Sequence, residues 1–208
     1  MQDKFGYIEQ KDRKKILLLC DDIRLHSGVA TMAREIVVGT SHHFNWVNLG
    51  GAMKHPDEKK AFDLSDDVNK QNGIQDASVK LYATSGYGSA DIVRELIRNE
   101  KPDAILHFTD PRYWTWLYDI EREIRQQIPL LYLNIWDDYP APLYNKAYYE
   151  CCDLLMGISK QTTNINKLVL EEAADKKIIE YVPHGINQKH FFPITPEYKN
   201  FDKYQEFR

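Results

Sequence analysis

Short apolar runs alternate with amphipathic stretches along most of this chain, and that alternation constrains its fold more than any other feature. The first run, residues 15–20, is rich in Ile and Leu, and apolar residues then repeat from Val29 to Val37 at the spacing of one helix face. Strands separated by helices form βαβ units. The sequence therefore predicts an α/β fold in which a parallel sheet carries helices on both faces.

The boundaries of the predicted elements follow from capping and turn residues. Ser27 is suited to be a helix N-cap and Gly39 a helix stop, and residues 86–89 open a second helix. Gly50 and Gly51 are expected to end the second strand, and the charged residues 52–77 to form a surface excursion with room for a short strand. The predicted strands are residues 15–20, 44–49, 78–83, 103–108, 129–135, 153–158 and 177–182, and the later helices are residues 113–127, 144–151 and 159–173.

Composition and charge exclude several classes of protein. The chain has 27 Lys and Arg against 31 Asp and Glu, a net charge of −4, so a nucleic-acid partner held by bulk positive charge is not expected. Residues 1–15 lack the apolar core of a secretory signal, and 3 cysteines form no disulfide framework, so we expect a cytoplasmic protein. The spacing of Cys and His does not resemble a zinc site, and no metal is expected.

In parallel sheets of this kind, ligands bind outside the carboxyl ends of the strands. Gly28 follows the first predicted strand at a helix N-terminus, where free N–H groups favour an anion, although a glycine needed only for the turn explains it about equally well. Asp21 and Asp22 are interpreted as a solvated loop. The segments that follow the predicted strands are residues 21–28, 85–89, 107–112, 136–139, Ser159 and 183–187.

His107 is the most pointed candidate among these residues. It ends a predicted strand, is expected to face the ligand edge, and is followed there by the polar residues Thr109 and Asp110. A histidine that is merely hydrogen-bonded to a backbone carbonyl is the alternative. Four other histidines are interpreted as surface or packing residues: His42, His43, His55 and His190.

Aromatic residues are concentrated between Tyr113 and Tyr149. Aromatic rings stack on sugar rings, but they also fill protein cores. Most of this group is expected to pack in the core. Trp136 and Tyr139 follow a predicted strand and are therefore the better candidates for ligand contact.

Several segments together resemble the retaining glycosyltransferases of the GT-B fold, in the large family four. Asp153-Leu-Leu-Met-Gly-Ile-Ser159 before a helix is similar to the family's "aD-hydrophobic-Ser" pattern. Pro183-His184-Gly185-Ile186-Asn187, followed by Phe192-Pro193, resembles the "P-N-G-V-D-x-x-x-F-x-P" segment that closes the N-terminal domain. His184 stands for the usual Asn and Asn187 for the usual Asp. Ser27-Gly28 and the segment from Ile105 to Pro111 resemble two earlier motifs, with Thr109 in place of a second His, so the likeness covers residues 15–193.

The resemblance implies a fold and a set of roles. Such enzymes have two Rossmann-like domains facing across a cleft: the N-terminal one mainly binds the acceptor, and the C-terminal one binds the nucleotide-sugar. Transfer keeps the anomeric configuration and needs no metal or other cofactor beyond the nucleotide-sugar. By matching position, Ser27 and Gly28 would approach the donor diphosphate, and His107 would contact the transferred sugar or the phosphates. The acceptor side would be formed by Tyr87, Thr109, Asp110, Trp136, Asp137 and Asp138, and the interdomain cleft by His184, Gly185 and Asn187.

On this interpretation residues 1–193 are the N-terminal half of a GT-B fold and residues 194–208 lead toward a donor-binding domain supplied in cis or in trans. The expected partners are a nucleotide-sugar and a glycan or glycolipid acceptor, with peripheral membrane contact open. Two other hypotheses remain. One is a GT-B nucleotide-sugar epimerase, which needs an acid–base pair of carboxylates, and the other is a non-catalytic Rossmann-like module that binds sugar or protein.

Overall fold

The structure, a computed structural model, is built around one eight-stranded sheet. It describes residues 6–188, 191–197 and 199–207. The strands are β1 (Lys14–Asp21), β2 (Phe44–Ala52), β3 (Ala61–Asp63), β4 (Val79–Ser85), β5 (Ala104–His107), β6 (Leu130–Asn134), β7 (Leu154–Gly157) and β8 (Ile178–Tyr181). They lie in the order β3-β4-β2-β1-β5-β6-β7-β8, and β3 pairs antiparallel with β4 while all other pairs are parallel.

Helices connect the strands, as the alternating pattern predicts. Ser27, Ser89 and Ser159 each accept a hydrogen bond from a backbone N–H of the following helix, which confirms Ser27 and Ser159 as N-caps. The α-helices are α1 (Gly28–Thr40), α2 (Ser65–Asn72), α3 (Ala90–Glu100), α4 (Thr115–Asp119), α5 (Glu121–Arg125), α6 (Lys146–Glu150), α7 (Lys160–Leu170) and α8 (Phe201–Phe207). Shorter 3₁₀ turns cover Gln10–Asp12, Pro111–Trp114, Leu143–Asn145 and Glu171–Lys176.

Strand β1 is buried on both faces, which explains why its sequence is a continuous apolar run rather than an alternating one. Leu17 and Leu19 point to a core that also contains residues of α3 and α7. Leu18 and Cys20 point to a second core shared with α1 and α2. The predicted α/β fold, a Rossmann-like sheet with helices on both faces, is therefore confirmed.

The prediction that β2 ends at Gly50-Gly51 is wrong, because the strand runs through both glycines to Ala52. The glycines serve a close approach of chain segments instead of a turn. A Cβ on Gly50 would lie 2.7 Å from the Cα of Asp22, and a Cβ on Gly51 would lie 2.4 Å from the ring of Tyr87. Two loops at the carboxyl edge of the sheet consequently rest directly on β2.

Two other segments differ from expectation. Residues 52–77 contain the short strand β3 but also α2, whose C-terminus is capped by Gly73 in the left-handed region at φ 69°. The predicted single helix over residues 113–127 is broken. It begins as the 3₁₀ turn capped by Asp110 and continues as α4 and α5, which are separated at Ile120.

Glu100, the last residue of α3, ties that helix to the sheet. Its Oε1 accepts hydrogen bonds from Lys80 Nζ at 2.9 Å and Tyr82 Oη at 2.6 Å, and its Oε2 lies 3.2 Å from Lys15 Nζ. Burial alone would raise the pKa of Glu100. The hydrogen bonds from Tyr82 and the two lysines outweigh that effect and lower the pKa to about 2.

Replacing Glu100 with Gln should lower the free energy of unfolding at pH 7 by about 1–3 kcal/mol, because Lys15, Lys80 and Tyr82 lose a charged acceptor. Since the folded pKa lies below the usual glutamate value of 4.5, the stabilisation is present above pH 4.5 and is lost as the pH falls toward 2. Urea unfolding of wild type and variant at pH 7 and pH 3 measures this, with Glu95→Gln on the exposed face of α3 as control. If the difference in free energy of unfolding between wild type and variant were equal at both pH values, the lowered pKa assigned to Glu100 would be contradicted.

Candidate functional site

The connections of the sheet change direction between β1 and β5. From β1 the chain moves outward on one side to β2 and β4, and it then returns to β5 and moves outward on the other side to β8. In sheets of this topology the usual ligand position lies at the carboxyl edge, between the loops that follow the two central strands, here β1 and β5, and we call that place the crevice. The Phe108 N–H, directly after β5, donates to the Leu19 carbonyl of β1 at 2.9 Å and closes the floor of this crevice.

The loop after β1 leads into the N-terminus of α1 on one side of the crevice. Ser27 Oγ accepts from the Ala30 N–H at 3.0 Å and donates to Asp21 Oδ2 at 2.6 Å. A Cβ on Gly28 would meet no atom within 4 Å, and its φ lies outside the left-handed region, so neither sterics nor the backbone requires glycine there. The N-terminus of α1 is thus open, with one carboxylate already hydrogen-bonded beside it.

The interpretation of Asp22 as part of a solvated loop is wrong, because the residue is fully buried. Arg24 donates to both carboxylate oxygens through Nε and Nη2, and His55 Nε2 lies 2.8 Å from Oδ2. His55 Nδ1 accepts from the Asp57 N–H at 3.0 Å, so Nε2 carries the proton and donates to Asp22. Burial tends to raise the pKa of Asp22, but the hydrogen bonds from Arg24 and His55 lower it. The network fastens the chain around His55 to the loop after β1.

His107 ends β5 as predicted, but its side chain does not face an open ligand edge. It is 0% exposed and lies among the rings of Trp114, Tyr118 and Tyr132, with centroids 5.2–5.7 Å away. Nδ1 is 2.7 Å from the hydroxyl of Tyr118. Nε2 is buried and has no hydrogen-bond partner within the described part of the chain. The partner of His107 is thus a tyrosine hydroxyl instead of the backbone carbonyl considered from the sequence.

Thr109 and Asp110 follow His107 and differ from each other in environment. Thr109 is buried, and its carbonyl accepts from the hydroxyl of Tyr132 at 3.1 Å, so it belongs to the floor of the crevice. Asp110 is partly exposed and caps the turn that follows through the Arg112 N–H at 2.9 Å. The Arg112 guanidinium also donates to both Asp110 oxygens. Burial would raise the pKa of Asp110, and the hydrogen bonds from Arg112 lower it.

Four aromatic side chains form a row along this edge, which we call the aromatic ridge: the exposed Tyr113 and Tyr144 and the half-buried Tyr87 and Trp136. Tyr87 and Tyr113 are stacked at 5.6 Å, and Trp136 and Tyr144 meet edge to face at 6.0 Å. Arg112 connects the two pairs, because it directly precedes Tyr113 in the chain and its guanidinium lies 6.0 Å from the Trp136 ring and 5.7 Å from the Tyr144 ring. Tyr113 and Tyr144 are 61% and 59% exposed, so they are exceptions to the expectation that most of this aromatic group packs in the core.

The loop after β6 continues the ridge with acidic residues. Trp136 Nε1 donates to the Asp138 carbonyl at 2.9 Å, while the side chains of Asp137 and Asp138 are exposed. Tyr139 is exposed as well, and its hydroxyl accepts from Asn164 Nδ2 at 3.4 Å. The candidates taken from this loop therefore lie at the surface of the same edge.

The segment after β8 crosses toward the first loop. The ring of His184 lies 6.5 Å from that of Phe108, and Asn187 Nδ2 donates to Glu35 Oε1 of α1 at 2.9 Å. Gly185 is exposed between them, and a Cβ there would meet nothing within 4 Å. His184, Gly185 and Asn187 thus run near the crevice. His190 lies outside the described residues.

The part of the chain that the structure describes holds neither a metal site nor a membrane-spanning helix. Over residues 6–188, 191–197 and 199–207, no group of three or more His, Cys, Asp or Glu side chains is placed to hold a metal ion. Within the same ranges no helix has the length and apolar character needed to cross a membrane.

Comparison with known proteins leaves the family open. No protein-family model matches the chain, and no curated protein sequence matches it. Among solved structures, the chain is similar to Medicago truncatula UGT71G1 complexed with UDP-glucose, at 11% sequence identity and a TM-score of 0.40. The match covers 94% of this chain and 56% of that one, so the chain spans little more than half of that protein's length.

The imidazole of His107 should remain neutral through the physiological pH range, because burial lowers its pKa to about 3. Since the unfolded value is 6.5, the unfolded chain takes up a proton first, and the contribution of His107 to stability falls as the pH drops from 6.5 toward 3. Nitrogen NMR shifts of the ring, recorded from pH 8 to 4, should stay those of neutral imidazole. A midpoint near 6.5 would contradict the buried placement.

Proposed function

We propose that this chain is the acceptor-binding lobe of a retaining GT-B glycosyltransferase of family four, which transfers a sugar from a nucleotide-sugar to a carbohydrate or glycolipid acceptor. One observation carries the proposal. The motifs that resemble this family, Ser27-Gly28, residues 105–111 and residues 183–187, come from distant parts of the chain, and they lie together around one crevice at the switch point between β1 and β5.

The electrostatics of the α1 N-terminus support a shared donor site. Its free N–H groups and the open space at Gly28 suit one edge of a diphosphate. The Asp21 carboxylate, hydrogen-bonded to Ser27, opposes a second anion there. Most of the diphosphate charge must then be neutralised by another surface, which a separate donor-binding domain would provide.

The expected chemistry places clear demands on such a crevice. Sugar transfer passes through an oxocarbenium-like transition state while negative charge grows on the leaving diphosphate, and oriented N–H groups lower that barrier. Closing two lobes over the sugar excludes water and favours transfer to the acceptor over hydrolysis. On this proposal the chain supplies the acceptor surface and one edge of the diphosphate site.

His107 is proposed to act in transfer through its unpaired Nε2. Burying an unpaired polar nitrogen costs about 1–3 kcal/mol, so a residue that served packing alone would be better replaced by an apolar one. A contact with the sugar requires the aromatic cover that includes Trp114 to move, because the ring is fully buried in this structure.

A non-catalytic sugar-binding module is the second candidate, because Tyr113 and Tyr144, the exposed rings of the aromatic ridge, could bind a saccharide with no reacting group. The two functions are separated by a transfer assay on the protein translated from the complete reading frame that contains these residues. That protein is incubated with UDP-, GDP- and ADP-sugars and with glycan and glycolipid acceptors, and the products are identified by mass spectrometry. We expect a glycosylated product whose anomeric configuration, read by NMR, matches the donor. Saccharide binding without transfer from any donor would favour the module.

Replacing His107 with Ala in the active protein should lower kcat by about 100-fold or more, the loss typical of removing one group that stabilises developing charge. Because Ala leaves a cavity, His107→Phe is the second variant, since it retains a ring and removes both nitrogens. Leu168→Ala, on the exposed face of α7, is the control. If folded His107→Phe retained the wild-type kcat, the proposed role of His107 in transfer would be contradicted.

A further inference from the structure

The aromatic ridge is continuous across the ends of β4, β5 and β6. Tyr87 follows β4, Tyr113 follows β5 and Trp136 follows β6, and the stacked and edge-to-face contacts join them through Arg112 to Tyr144. Tyr113 and Tyr144 are exposed, whereas Tyr87 and Trp136 pack partly against the core and are half-buried. The accessible ring faces and tyrosine hydroxyl groups are suited to stacking and hydrogen bonding with a ligand.

Arg112 is the cation of the ridge, and it is already engaged. Its guanidinium donates to both oxygens of Asp110, and its backbone N–H donates to the same carboxylate. It also faces the rings of Trp136 and Tyr144. Asp110 compensates the Arg112 charge through Nε and Nη2, so an anionic ligand would have to compete with that carboxylate for the guanidinium.

Negative charge dominates the surroundings of the ridge. Asp21 lies close enough to Tyr87 to raise the pKa of that phenol, after the larger effect of burial. Asp137 and Asp138 follow Trp136 directly and are exposed. The nearest additional cation along the chain, Lys146 beside the turn that holds Tyr144, is paired with Glu171. The exposed carboxylates of Asp137 and Asp138 would therefore repel an anionic acceptor stacked on Trp136.

We propose that the ridge binds an uncharged saccharide by stacking its sugar rings on Tyr113, Trp136 and Tyr144, and that the carboxylates of Asp21, Asp137 and Asp138 reject acidic saccharides. This inference rests on the proposed function, because it specifies the acceptor of the same site. The hydroxyl groups of a neutral sugar can donate hydrogen bonds to the exposed carboxylates, which a uronate or phosphate group at the same place cannot do.

The test measures binding of matched oligosaccharide pairs to the 208-residue chain by ligand-observed NMR titration. Each pair consists of a neutral tetrasaccharide and the uronic acid tetrasaccharide of the same configuration and linkage, in the gluco, galacto and manno series. We expect a neutral member to bind at least 10-fold more tightly than its acidic counterpart at low salt. The difference should shrink in 1 M NaCl, where repulsion between exposed charges is screened.

Variants separate stacking from charge. Tyr113→Ala and Trp136→Ala should each weaken binding of the neutral sugar by roughly 3- to 10-fold. The double variant Asp137→Asn, Asp138→Asn should tighten binding of the acidic sugar, so that the ratio of neutral to acidic affinity falls toward 1. Leu168→Ala is the control for a distant exposed apolar residue, and thermal unfolding of each variant confirms that it is folded.

The outcomes distinguish this inference from the proposed function. The inference would be overturned by tighter binding of any uronate than of its neutral partner, or by no binding of any neutral sugar. Vesicles of neutral phosphatidylcholine are titrated in parallel, and binding to these vesicles alone would also overturn the inference. Transfer by the complete protein to acidic acceptors alone would also overturn it while leaving the proposed function intact. Binding of a neutral sugar through Tyr113, with no transfer from any donor, would support the inference and count against transferase activity.

Discussion

The burial of the Asp22 carboxylate is the interaction on which the arrangement of the site depends. A charge removed from water must have its oxygens satisfied by donors, and here Arg24 and His55 provide them. Asp22 reaches this position because Gly50 carries no side chain. The network joins β1, the end of β2 and the chain around His55, and it fixes where the loop toward Ser27 leaves the sheet. The open N-terminus of α1 is a consequence of that anchoring.

The crevice differs from a simple anion site in the balance of its charges. A helix N-terminus attracts phosphate, but Asp21 sits beside this one and hydrogen-bonds to its capping serine. On the other side of the crevice Asp110 carries a second carboxylate, with Arg112 held against it. The site therefore offers shape, stacking surface and hydrogen-bond acceptors more than positive charge, which suits hydroxyl-rich ligands better than phosphates.

The sequence was sufficient to predict the fold because strands buried on both faces give unmistakable apolar runs. Residues 15–20 fall entirely within β1, and the caps Ser27 and Ser159 are where the pattern placed them. Gly50 and Gly51 were misinterpreted because a glycine that ends a strand and one that admits a neighbouring chain look the same in sequence. Only the tertiary contact with Asp22 and Tyr87 distinguishes the two cases.

The candidate site was predictable in position but not in detail, for a related physical reason. Periodicity indicates which strand ends meet at one edge, yet it does not show which aromatic rings of a crowded segment turn outward. Tyr113 follows a Pro-Arg pair in a turn capped by Asp110, and the capping bonds direct its ring to the surface beside Tyr87. His107, at a strand end by the same reasoning, is enclosed by those aromatic residues that turn inward, Trp114, Tyr118 and Tyr132. Local capping sets the side of the chain on which each ring lies. The side on which a ring lies determines whether it can touch a ligand or instead supports another residue that touches it.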